Sequence, residues 1–343
     1  MKRRGYLKRI GYSKRIGYSL LTAMTLFGLM GCGSDSKPVE PTPTTAPAAV
    51  AESGSQTKYK EQTISYPEGQ VFYSTYDADG NPAAYLFDTK NYTDQHAAYE
   101  EYLYKDGQWE KGDMDELNKI LEKEQITSLS TIDRDPSGQI YGLWTDLTSS
   151  GNAKDSFALY EFAKNKAVKH NDALYNGDNM LYQYRLLGDG KLCGMYADGS
   201  ISVRSINDGK VEKELGSGYA TMDVAGSRMF AVKQSGGSID EWDLETGEKG
   251  HEYSAELTNQ GVAFCQDEEE NVYACMEKGI FLLDEDTSRL TEIVSGSEMS
   301  VNALKGSSEV MISGLRVQNG EFFVTYLLAG ENSREYKLMT YRS

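Results

Sequence analysis

The stretch Met229-Phe-Ala-Val-Lys-Gln-Ser-Gly-Gly-Ser-Ile-Asp-Glu-Trp-Asp-Leu-Glu-Thr-Gly-Glu248 holds two short β-prone runs, each followed by a polar turn containing glycine. Its first run has counterparts in Leu192-Cys-Gly-Met-Tyr196, Val272-Tyr-Ala-Cys275 and Val310-Met-Ile-Ser313, and the four starts lie 37, 43 and 38 residues apart. Its second run, Ile239–Leu244, has counterparts in Ile201–Ile206, Ile280–Leu283 and Phe322–Leu328. A further strand follows in Val211-Glu-Lys-Glu-Leu215 and Leu290-Thr-Glu-Ile-Val294. Pairs such as Asp79-Gly80, Asp106-Gly107, Asp189-Gly190, Asp208-Gly209 and Asn319-Gly320 supply the positive φ angles that tight hairpins need. Short strands between such turns indicate an all-β chain. Four strands in about 40 residues is the period of a β-propeller blade.

The units Asp198–Lys210 and Gly237–Glu248 resemble the repeats of WD40-like and quinoprotein-like propellers. In those families a strand ending in an acidic residue leads through a glycine turn to the outermost strand. The resemblance covers residues 175–343 well and 58–174 loosely. Trp242-Asp243 is similar to the WD dipeptide, although no Gly-His pair precedes it.

Working back towards the amino terminus, Gln139–Trp144 and Ser156–Phe162 fit paired strands of one blade within Ile126–His170. Gln70–Tyr76, Ala83–Phe87 and Tyr99–Tyr104 fit another, with an insertion. Between these two units, Met114–Glu124 carries Leu117, Ile120 and Leu121 at helical spacing and reads as one short helix capping an edge. The expectation is a propeller of six four-stranded blades, or seven if the divergent first region holds two, with one helical insertion. Its ring would close through a strand near Gln62–Tyr66 beside the last blade. A pair of β-sandwiches is the competing architecture, disfavoured by the regular spacing.

Before the repeats come two segments of different composition. Lys2, Arg3, Arg4, Lys8, Arg9, Lys14 and Arg15 precede the apolar run Leu20–Met30 and Gly31-Cys32. A basic region, a short apolar region and a small residue at the cut form a secretory signal over residues 1–31. The run is shorter than the ~20 apolar residues a spanning helix needs. Lys8–Ser13 and Lys14–Ser19 are a direct repeat to which no function is assigned. Leu29-Met30-Gly31-Cys32 resembles the lipobox of bacterial lipoproteins. That resemblance implies lipid attachment at Cys32, hence an acylated (palmitate-type) chain anchored outside the cell. Residues 32–57 hold four of the seven prolines and almost no large apolar residue, which reads as a disordered tether. Residues 58–343 would be the propeller domain.

Cleavage at Cys32 leaves 28 bases against 52 acids, so the net charge falls from −17 to −24. Such a surface excludes nucleic acid as a partner. Cys193, Cys265 and Cys275 are an odd set, which argues against a disulfide framework. Cys265 and Cys275 flank a hairpin turn and could pair, with buried free thiols as the simpler reading.

No catalytic signature emerges. His96, His170 and His251 are far apart and lack ligand-spaced partners, so no metal is expected on them. No Gly-x-Ser-x-Gly elbow, P-loop, Cys-x-x-Cys or His-Glu-x-x-His is present. Acid clusters at Asp77–Asn81, Asp267–Glu270 and Asp284–Asp286 could hold calcium but sit where solvated hairpin turns are expected. Tyr92, Tyr99, Tyr102, Tyr104 and Trp109 could stack on a sugar or peptide, or simply fill half-buried strands.

Two functions follow from these readings. One is a non-catalytic module, without cofactor, tethered to the membrane by lipid and binding a small molecule, glycan or protein. The arrangement is similar to the amino-terminal half of Firmicutes lipoproteins that join a propeller-like region to a solute-binding domain. That resemblance implies a link to solute uptake, by a truncated or stand-alone relative. The other function is a surface enzyme acting on polysaccharide or peptidoglycan through paired carboxylates in the channel.

Overall fold

The computed structural model describes residues 59–145, 157–255, 261–299, 309–330 and 333–343. The signal segment, the lipobox with Cys32 and the linker lie outside the described residues. Alternating strands and glycine turns give antiparallel hairpins throughout. β1 (Lys60–Ile64) stands apart from the first blade, which comprises β2 (Val71–Tyr76), β3 (Pro82–Phe87), β4 (Tyr99–Lys105) and β5 (Gln108–Lys111). Blade 2 comprises β6 (Thr131–Arg134), β7 (Ile140–Thr145), β8 (Phe157–Ala163) and β9 (Lys166–His170). Blade 3 adds the two-residue β10 (Tyr175–Asn176) to β11 (Asn179–Gly188), β12 (Lys191–Tyr196), β13 (Ile201–Ser205) and β14 (Val211–Gly216). Blade 4 comprises β15 (Tyr219–Ala225), β16 (Arg228–Lys233), β17 (Ser238–Asp243) and β18 (Lys249–Ser254). Blade 5 comprises β19 (Ala263–Gln266), β20 (Val272–Met276), β21 (Gly279–Asp284) and β22 (Arg289–Ser295).

Blade 6 draws on both ends of the described chain. β23 (Glu309–Gln318), β24 (Glu321–Gly330) and β25 (Ser333–Arg342) form a meander, and β1 pairs with β25 from Lys60 opposite Arg342 to Ile64 opposite Leu338. The ring therefore closes as the sequence suggests, over Lys60–Ile64 rather than Gln62–Tyr66. Ser65 and Tyr66 leave the ladder, and the Tyr66 hydroxyl bonds Ser74 Oγ at 2.8 Å instead. The architecture is a six-bladed propeller, with neither a seventh blade nor a sandwich pair among the described residues.

One alignment fails. Leu192, Met229 and Val272 all lie on the second strand of a blade, but Val310 lies on the first strand of blade 6 and Phe322 on its second. The three strands of this meander run ten residues each, against four to seven in blade 5. The repeat length therefore stretches, and 38 residues from Val272 land one strand early.

A four-stranded sheet is apolar on both faces, so each blade is stable only against its neighbours. Between blades 4 and 5, Phe230 and Phe264 stack with centroids 5.2 Å apart. Between blades 5 and 6, Cys275, Ile280 and Val294 pack with Leu315, Val324 and Met339. The sequence-predicted helix is α1 (Asp115–Glu124), and its Leu117, Ile120 and Leu121 join Tyr85, Tyr99 and Phe162 in the core between blades 1 and 2. Asn118 extends the sheet with its side-chain amide: Oδ1 accepts from Tyr99 N–H and Nδ2 donates to Tyr99 O, both at 2.9 Å. It fills part of the gap where β5 is too short to pair with β4.

Cys193, Cys265 and Cys275 are buried free thiols. Cys265 faces Tyr273 across the β19–β20 ladder and Cys275 faces Ala263, so the hairpin does not oppose the two sulfurs. Burial pushes the Cys193 and Cys265 thiols up to about 12. In residues 57–343 at pH 8, a thiol-reactive disulfide reagent should label none of the three until the fold is melted. Fast labelling of any one in the native state would contradict this burial.

Candidate functional site

The inner strands of the blades line the centre of the ring, where a cavity opens among the first hairpin turns and runs outward along blades 6 and 1 past Ile64, Tyr104 and Arg342, about 1460 Å³ in all. Three of those turns share one construction. Asp77, Asp135 and Asp267 each accept, through Oδ1, the backbone N–H four residues on, from Asn81 (2.7 Å), Gln139 (2.9 Å) and Asn271 (2.8 Å). In each, the aspartate N–H also bonds the carbonyl of that fourth residue, at 2.9, 3.0 and 3.0 Å. The third position after the aspartate is left-handed, with φ +81 at Gly80, +84 at Gly138 and +67 at Glu270. These carboxylate-braced turns account for the acid clusters at Asp77–Asn81 and Asp267–Glu270. Their leading carboxylates hold their own loops, and the resulting hydrogen bonds, set against burial, keep the Asp267 carboxyl below the usual range. Asp284 likewise accepts Thr287 N–H at 3.1 Å. Among the described residues no three His, Cys, Asp or Glu side chains gather as a metal site.

Deeper in the channel, charged and hydroxyl groups clamp neighbouring blades. Asp133 of blade 2 accepts from Tyr73 of blade 1 (2.8 Å) and from Tyr184 of blade 3 (2.6 Å). Burial, reinforced by the Asp133 charge, holds both hydroxyls protonated far above the ordinary tyrosine range. Arg185 of blade 3 donates from Nε to Asp223 of blade 4 at 2.6 Å, and from Nη1 to Tyr184 O at 3.0 Å. Burial would lower the Arg185 pKa, but the Asp223 carboxylate outweighs it and the guanidinium is firmly charged. Asp223 also accepts Val224 N–H at 2.8 Å and Phe264 N–H of blade 5 at 3.1 Å. Arg134 of blade 2 pairs with Glu101 of blade 1 at 3.0 Å. Tyr76 of blade 1 donates to Phe323 O of blade 6 at 2.9 Å.

This geometry bears on chemistry. The enzyme reading needs two channel carboxylates free to take and give protons. Asp223 is buried and Asp133 half-buried, and fixed donors engage both, while Asp79 and Glu268 line the same cavity exposed on its turns. The channel can hold a polar ligand among its hairpin turns. Its deep carboxylates serve the ring.

The other sequence candidates lie elsewhere. His170 is buried beside Glu161 at 3.0 Å, His96 Nδ1 sits 3.4 Å from Ala97 O, and the His251 ring lies 5.9 Å from that of Tyr253. The aromatic set divides. Tyr99 is buried between blades 1 and 2, with Tyr92 packed at the edge of that core. Tyr104 and Trp109 pack edge to face at 5.2 Å, and Trp109 Nε1 donates to Ser65 O at 2.8 Å, beside the closing strand. Tyr102 bonds Glu100 at 3.3 Å. Four of the five pack at seams between blades and Tyr102 stays on its own strand, so they form no single stacking platform. Sequence reading missed Asp133, Tyr184, Arg185, Asp223 and Arg316. The available signal was a charge set inside an apolar strand, as in Met222-Asp-Val224 and Leu315-Arg-Val317.

No protein-family model matches this chain, and no curated protein matches its sequence. Among solved structures it is similar to the crystal structure of the WD40 β-propeller domain of Doa1. The two are 12% identical with a TM-score of 0.48, over 84% of this chain and 98% of that one.

Proposed function

We propose that this chain is an extracytoplasmic lipoprotein, held to the outer face of the cell membrane by acyl groups on Cys32. Its propeller binds a small-molecule, glycan or protein ligand at the channel without turning it over, in a role linked to solute uptake. The observation that carries the binding reading is a polar cavity of about 1460 Å³ whose two inner-strand carboxylates, Asp133 and Asp223, are already engaged by fixed donors. Pockets for small ligands run from about 300 to 1,000 Å³, so this one has room for such a ligand with its water. The anchor rests on the signal pattern of residues 1–32, and more than one acyl chain would make it stable.

Thermal unfolding of residues 57–343 against sugars, peptides, amino acids and calcium tests the binding role. A ligand at 100 times its Kd should add about 2.7 kcal/mol of stability and be recovered intact. Shortened glycan or peptide products would instead establish the enzyme reading. The anchor has its own test: Cys32→Ser should abolish incorporation of labelled palmitate into the expressed protein.

A further inference from the structure

Four arginines line this cavity: Arg134, Arg185 and Arg316 on inner strands, and Arg342 at its outer end. Three are neutralised by the protein itself, Arg134 on Glu101, Arg185 on Asp223 and Arg342 on Glu321. Arg316, on the inner strand of blade 6, has no carboxylate partner among the described residues. Its guanidinium lies over the Tyr76 ring, 5.0 Å from the centroid, and its Nη1 donates to Leu315 O at 2.9 Å. Those two contacts fix the plane and one end of the group. The edge formed by Nε–H and Nη2–H keeps both donors unused, and neither nitrogen is sealed from the cavity. Two parallel N–H donors on one edge match the two oxygens of a carboxylate.

The surroundings narrow the class of ligand further. Asp79 and Glu268, exposed on the turns of blades 1 and 5, line the same cavity. Neither side chain has a hydrogen-bonded or ionic partner among the described residues, unlike those of Asp77 and Asp267 beside them. A simple anion would meet this acidic rim on its way in. A molecule with a carboxylate at one end and an ammonium at the other would satisfy both regions. Gln266 and Gln318 also line the cavity; their Nε2 groups donate to Glu270 O and to Asp79 O, and their Oε1 atoms can accept from a peptide N–H.

Building on the binding role proposed above, we infer that the channel takes a zwitterion, a free amino acid or short peptide, with its carboxylate on Arg316 and its ammonium at the acidic rim. Three probes that differ only in terminal charge test this: triglycine, triglycine amide and N-acetyl-triglycine. In calorimetric titration of the full-length chain in detergent, triglycine should bind, and each capped peptide should bind about tenfold or more weakly. Arg316→Gln should weaken triglycine by a similar factor while leaving the amide unchanged. Arg316→Lys keeps a cation over Tyr76 but loses the planar edge, so it should fall between. If Arg316→Gln does not melt cooperatively, the lysine variant and the wild-type comparison of peptides decide the matter.

Equal binding of triglycine and its amide, wild-type affinity in Arg316→Gln, or no heat with any of the three would overturn the inference. Saturable binding that ignores Arg316 would do so while leaving the channel's binding role standing. Release of glycine or diglycine would overturn both, because the channel would then be catalytic.

Discussion

Removing residues 1–66 should leave a chain that no longer unfolds as one cooperative unit. The deletion takes away β1, whose five residues pair with β25, together with Ile64, which is 9% exposed. It also removes Glu61, which accepts from the Tyr341 hydroxyl at 2.9 Å, and the Tyr66 ring lying 5.3 Å from Trp109. A handful of net hydrogen bonds at about 1 kcal/mol each and one buried isoleucine come to roughly 5 kcal/mol. Single domains hold only about 5–15 kcal/mol in all, so this loss consumes most of the margin. Calorimetry should show a broad, shallow transition, or none. Removal of residues 1–57 alone, by contrast, spares every strand of the ring and should leave a sharp melt. A sharp melt in both would mean that the ring does not depend on its closing strand.

Asp223→Ala should destabilise the protein by about 2–4 kcal/mol in urea unfolding, below the ~3–5 kcal/mol of a fully buried ion pair because the Arg185 side chain is 36% exposed. Asp223 is 2% exposed and serves three blades at once. Its loss strands the Arg185 guanidinium and leaves the amides of Val224 and Phe264 without acceptors. Asp223→Asn keeps one carbonyl oxygen in place and should recover part of the loss, chiefly at one of the amides. A change below about 1 kcal/mol for the alanine variant would mean that water readily replaces the carboxylate, and that the clamp contributes little.

The regular blades were legible because their signals are local. Hairpin turns declare themselves through Asp-Gly pairs, and strands such as Met229–Val232 and Ile239–Leu244 through short β-prone runs between them. Helix α1 was legible for a similar reason, since Leu117, Ile120 and Leu121 form a single face. The closing strand was legible only to within two residues. Its pairing with β25 spans nearly the whole domain, and nothing local marks where the ladder ends. The frame of blade 6 was misplaced because its meander is longer than those before it. The channel was the least legible part. A charge such as Asp223 or Arg316 within an apolar strand resembles an ordinary irregularity until the ring brings six inner strands together. The acid clusters were legible as hairpin turns, but not the bonds by which Asp77 and Asp267 hold their own loops.

The pairing of Lys60 with Arg342 has a consequence in time as well as in space. A ribosome releases β1 long before it releases β25, so the earliest strand waits for the latest. Contacts of such sequence separation carry a large loop-closure entropy and slow folding, since that entropy must be lost before the contact forms. Meanwhile the waiting segment is an unpaired edge. Its sequence Lys-Glu-Gln-Thr-Ile offers two charges and an amide before its only aliphatic residue, which makes it a poor template for another chain. The same residues that close the finished ring are thus soluble enough to remain unpaired during the chain's synthesis.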